Sequence, residues 1–154
     1  MKKVGLTGTH LGGLVLKMGQ TRRLPPTRNN GGIMASVRYL VNDVEAAISF
    51  YSNALGFELK QQFGPAMAIL AKDGLTLWLA GPQSSAAKAM PDGSIPKPGG
   101  WNRFVLQVED LSGLVAKLQA ENVRFRNEIV KGPGGSQILC EDPSGNVIEL
   151  FQEN

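Results

Sequence analysis

The sequence predicts an α+β protein made of two tandem βαβββ modules, each a curved sheet with a helix outside and a concave face within, arranged around a cleft. Three observations predict it. The order strand, helix, then several strands runs through the chain twice. Val41-Asn42-Asp43, where a strand runs into a helix cap, returns as Val108-Glu109-Asp110 at an offset of 67 residues. The strand in "DGLTLWLAG" returns in "PSGNVIELF" at a similar offset, which places Trp78 opposite Glu149.

The first module spans 34–82. It opens with "SVRYLV", whose alternation reads as a strand. In "NDVEAAISFYSNALGF", Asn42 or Asp43 caps a helix whose apolar residues Val44, Ala47, Ile48, Tyr51 and Leu55 share one face, and Gly56 ends it. Strands follow in "ELKQQF", "AMAILAKDG" and "LTLWLAG", the last two joined by an Asp-Gly turn. Residues 83–100, rich in Pro, Gly and Ser, read as a linker. The second module, 101–154, repeats the order: strand "NRFVLQV", helix "EDLSGLVAKLQAENV", then strands "RFRNEIVK", "SQILCED" and "NVIELFQ".

Residues 1–33 stand apart. They hold six of the 16 Lys and Arg residues and no Asp or Glu, so the modules keep ten basic residues against 13 acidic ones. The basic character belongs to this extension, and the body gives no reason to expect nucleic acid. The extension reads as a basic, flexible segment: an upstream addition, a targeting segment or an arm packing on a partner chain. His10, the only histidine, lies in it. No apolar run is long enough to span a membrane. One cysteine, Cys140, excludes an internal disulfide framework and reads as a small apolar strand residue. A cytoplasmic address follows as the default expectation.

Period-two alternation sorts the strands. Phe104, Leu106 and Val108 belong under the helix, so Arg103, Val105 and Gln107 face the concavity. Ile148 and Leu150 go to the helix side, leaving Val147, Glu149 and Phe151 within. By the same rule Ser36, Arg38 and Leu40, and Thr76, Trp78 and Ala80, face the concave side of the first module. "GPGG" at 132–135 lacks the Lys-Ser/Thr and helix context of a phosphate cradle and reads as a hairpin turn.

"VNDVEAAISFYSNALGFEL" and "DPSGNVIELFQ" together resemble the vicinal oxygen chelate superfamily, which includes glyoxalase I, bleomycin-resistance proteins and extradiol dioxygenases. The resemblance covers 35–152 and implies the glyoxalase/bleomycin-resistance fold. It also implies a homodimer, with module one of one chain facing module two of the other across a cleft. In metal-dependent members the ligands are His, Gln or Glu, one on each first and each last strand. The matching positions are Ser36, Trp78, Arg103 and Glu149, and only Glu149 is a good ligand. A fixed guanidinium where a cation must sit is worth several kcal/mol of repulsion at an effective dielectric of about 20. No metal or other cofactor is therefore expected, a divalent metal being disfavoured by the donor set.

Arg103 and Glu149 instead invite each other as an ion pair, either structural or orienting Arg103 toward a ligand. Trp78 and Phe151 would supply apolar wall, Trp101 an anchor at the mouth, and Arg38 a second positive group. The expected ligand-binding set is thus Ser36, Arg38, Trp78, Trp101, Arg103, Glu149 and Phe151. The resemblance lies nearest the metal-lacking bleomycin-resistance branch, which implies binding of a small molecule, often aromatic or cationic, in a cleft at the dimer interface without chemistry, the ligand's charge being left open. The alternative is a lyase-, isomerase- or dioxygenase-like enzyme using Glu149 as base or with an unusual metal set.

Overall fold

The computed structural model describes residues 34–154. The expectations placed on 1–33, including His10, lie outside the described residues. The first module runs β1 (Val37–Leu40), α1 (Val44–Ser49), β2 (Glu58–Phe63), β3 (Met67–Lys72) and β4 (Leu75–Ala80). The second runs β5 (Arg103–Gln107), α2 (Leu111–Ala120), β6 (Val130–Gly132), β7 (Gly135–Glu141) and β8 (Val147–Glu153). Each module forms one four-stranded mixed sheet, in the orders β1-β4-β3-β2 and β5-β8-β7-β6. In both, the first strand pairs parallel with the last, because the helix between them carries the chain back across the sheet.

Local chemistry sets the element ends. Asp43 rather than Asn42 caps α1, its Oδ1 accepting from the Ala46 amide at 3.1 Å; Asp110 caps α2 through the Gly113 amide at 2.9 Å. Asp73 and Gly74 both adopt positive φ (46° and 88°), the conformation a two-residue turn needs to match the twist of β3 and β4. β2 is exposed along its length and carries a bulge between Leu59 and Gln61, a common way of blunting a sheet edge.

Two elements depart from expectation. The α-helix stops at Ser49 and continues as a π-helical turn, Phe50–Ala54. Its closing bond runs from the Phe57 amide to the Tyr51 carbonyl at 2.9 Å, one residue wider than the usual helix end, across Gly56 at φ +71°. The wider turn keeps Tyr51, Ala54 and Leu55 all buried. The strand expected at 124–131 is reduced to β6 and an isolated bridge between Phe125 and Cys140. There the Asn127 side chain accepts from the Leu139 amide at 2.9 Å, replacing a main-chain partner and interrupting the ladder.

One core joins the modules. Tyr39 of β1 stacks on Phe104 of β5 with ring centres 5.5 Å apart, and Phe57 meets Phe104 edge-on at 6.0 Å. Polar contacts tie the same junction. Tyr39 donates to the Val147 carbonyl at 2.7 Å, and Tyr51 donates to Asp142 at 2.8 Å. The turn "DPSGN" between β7 and β8 is itself a connector. Asp142 accepts from the Ser144 and Asn146 amides, Asn146 donates to the Leu40 carbonyl at 2.8 Å, and Ser144 accepts from the Asn42 amide at 2.9 Å. Among the described residues, no helix is long and apolar enough to cross a membrane.

Candidate ligand-binding site

The faces turned away from this core are where the alternation places the candidate residues. In module two, the parallel register sets Arg103 beside Val147 and Val105 beside Glu149. Arg103 reaches diagonally along the face, its Nε donating to Glu149 Oε2 at 2.7 Å. A longer bond of 3.4 Å runs from its Nη1 to the Trp101 carbonyl. Glu149 is only 8% exposed, whereas the Arg103 side chain is 32% exposed, so the guanidinium covers the carboxylate from the solvent side. A charge-assisted bond at this distance offsets the desolvation of a buried carboxylate.

Glu149, Val105, Gln107 and Phe151 line a cleft of about 700 Å³, bordered by Lys72 at the end of β3 and Asp73 of the turn that follows. Val105 is half exposed, and Gln107 is held by Glu153 at 2.8 Å. The border from Lys72 and Asp73 was not foreseeable from the alternation, which sorts residues within a module and is silent about what the other module brings.

Module one presents a separate pair. Arg38 and Trp78 are register partners on β1 and β4, and the Arg38 guanidinium lies over the indole at 4.9 Å. Ser36 precedes β1 and is exposed. Trp101 lies ahead of β5, 69% exposed, with the Arg126 guanidinium over its ring at 4.6 Å. Arg126 is fixed by Glu141 at 2.6 Å and by the Gly100 and Gly145 carbonyls at 2.7 and 3.1 Å. The structure therefore brings the seven candidates together as Arg103 with Glu149 and Phe151, Arg38 with Trp78, and Trp101 with Arg126, leaving Ser36 at the edge. Arg126 and Glu141 were missed, although Arg124 and Arg126 share parity and could have been set against a carboxylate on the neighbouring strand.

The four positions that the resemblance matches to metal ligands, Ser36, Trp78, Arg103 and Glu149, do not offer a metal-binding donor set. Trp78 offers no lone pair, Ser36 a neutral hydroxyl, and Arg103 a cation bonded to the one carboxylate, Glu149. Among the described residues, no group of three or more His, Cys, Asp or Glu side chains converges. Burial pushes the Tyr39 hydroxyl up to about 12 and the Cys140 thiol up to about 12, and it raises Tyr51 further, with Asp142 adding to the effect. Both tyrosines are neutral donors at physiological pH, and Cys140 is a buried, protonated thiol without nucleophilic character.

The family model for the Glyoxalase/Bleomycin resistance protein/Dioxygenase superfamily matches residues 33–150, so the chain belongs to that superfamily. No curated protein sequence matches. Among solved structures, the chain is similar to a superfamily member from Sphaerobacter thermophilus (27% identity, 79% of this chain and 98% of that one, TM-score 0.60). It is equally similar in sequence to TnmS3, an antibiotic binding protein from a Streptomyces species (27%, 79% and 98%, TM-score 0.57). A lactoylglutathione lyase from Agrobacterium tumefaciens shares the fold at 19% identity (80% and 96%, TM-score 0.60).

Proposed function

We propose that this protein binds a small, aromatic-bearing molecule on its concave faces without a metal, as a homodimer in which module one of one chain faces module two of its partner. The observation that carries the reading is the Arg103–Glu149 bond at 2.7 Å, which commits the one good ligand of the metal positions to a guanidinium. The likeness to an antibiotic binding protein at 27% identity supports a binding role. Half-exposed Val105 and Phe63, one on each open face, support closure by a second copy. An enzymatic role for Glu149 as base would require releasing the carboxylate from Arg103, and nothing in the geometry favours that. A cytoplasmic address belongs to the same reading.

Light scattering and ligand screening by tryptophan fluorescence, each run with and without a chelator, test the proposal. Expected are a dimer and saturable binding of aromatic compounds that the chelator leaves unchanged. Binding that disappears with the chelator and returns with a divalent metal would overturn it.

A further inference from the structure

The open face of module one differs in character from that of module two. The registers place Trp78 beside Arg38 on one side and Ile69 on the other, with Gln61 beyond. One step along, Ala80 lies beside Leu40 and Met67, with Phe63 beyond. Directly paired residues share a face, so Phe63, Met67, Ile69 and Trp78 form a continuous apolar strip. All four retain solvent exposure, whereas the opposite face (Tyr39, Ala68, Leu70, Leu77, Leu79) is buried in the core.

The charge on this strip is one-sided. Glu58, at the far edge of the same face, is paired with Lys60 at 2.5 Å. Among the described residues, Arg38 has only the Trp78 ring, with no carboxylate within ion-pair distance, and residues 1–33 contain no Asp or Glu. A guanidinium lying over an indole keeps its N–H donors in its own plane, pointing away from the ring and available to an acceptor. In module two the arginines are already matched: Arg103 to Glu149, and Arg124 and Arg126 to Glu141. Glu153, bonded to Gln107, gives that face the opposite bias.

We propose that the module-one face recognises a planar aromatic monoanion, its ring on Met67, Ile69 and the uncovered part of Trp78 and its carboxylate accepting from Arg38. The inference rests on the binding function proposed above and names the ligand class for it. Bidentate carboxylate recognition by a stacked arginine is favoured by geometry as well as charge. It assigns the polarity of the ligand: negative end toward Arg38, apolar body along the strip.

Equilibrium dialysis with three compounds of one ring system, naphthoate, naphthamide and naphthylmethylamine, tests it. The expected result is naphthoate bound about tenfold tighter than naphthamide, with the amine weakest. Arg38→Gln should abolish the preference and leave all three weakly and equally bound, while Arg38→Lys retains part of it. Trp78→Leu should weaken all three compounds alike. If the amine binds best, or if Arg38→Gln keeps the preference for naphthoate, the anion assignment is wrong while aromatic binding stands. If none of the three binds the wild-type protein, the proposed binding function fails with it.

Discussion

At the scale of single residues, Arg103 and Glu149 decide how the concavity is read. Arg103→Met leaves a carboxylate that is 8% exposed without its partner, so the variant should lose about 1–3 kcal/mol of stability in urea unfolding. The figure stays below that for a fully buried pair because the Arg103 side chain is a third exposed. Removing both charges, with Arg103→Met and Glu149→Leu together, should recover most of the loss; strictly additive losses would show that the two do not interact. This pair was legible in the sequence, since parity and the repeat put both side chains on one face. The Trp101–Arg126 stack was not legible, because Trp101 lies ahead of β5 in a loop, where no alternation sets the direction of a side chain.

At the scale of elements, the β7–β8 turn ties the two modules together. Asp142 accepts from Tyr51, from the Ser144 and Asn146 amides, and from the Asn146 side chain at 2.9 Å. Asp142→Ala leaves the buried Tyr51 hydroxyl and the buried Asn146 amide without their acceptor, and should cost roughly 2–4 kcal/mol. Tyr51→Phe should cost about 1 kcal/mol, since only one of the carboxylate's partners is lost. The β6–β7 turn is equally intolerant at one position. Gly135 has φ +156°, and a Cβ there would stand 2.1 Å from the Gln152 carbonyl oxygen, so Gly135→Ala should lower Tm and loosen the end of β8, read as faster amide exchange at Gln152 and Glu153. Periodicity sorted the faces of β4, β5 and β8 correctly. It could not reveal the π-helical turn, whose width depends on packing Tyr51, Ala54 and Leu55 together rather than on the order of apolar residues.

For the whole molecule, the shared core predicts that both modules unfold together. Trp78 reports on module one and Trp101 on module two, so single-tryptophan variants should give coincident denaturation curves; separated midpoints would mean independent modules. Phe104→Ala, which removes the ring between Tyr39, Tyr51 and Phe57, should destabilise both by about 3–5 kcal/mol. Alkaline pH acts on the same junction. Tyr39 and Cys140 have folded values raised to about 12 from 10.0 and 9.0, so their contribution is complete below the unfolded values and is lost as pH rises toward the folded ones. Stability should therefore be level near neutrality and fall between about pH 9 and 12, which urea titrations across that range would measure. The two-module order was readable from the sequence because each module repeats the same local pattern. The junction was not readable, because contacts such as Tyr39 to Val147 leave no trace in periodicity.

We propose that the concave positions the resemblance matches to metal ligands are here given over to an ion pair and an aromatic wall. Elemental analysis of the purified, untagged protein after growth with added nickel, manganese, zinc and iron is the sharpest check on that assignment. No metal in stoichiometric amount is expected under any of these conditions. One metal per cleft, lost on Glu149→Gln, would contradict it and return Glu149 to the role of ligand.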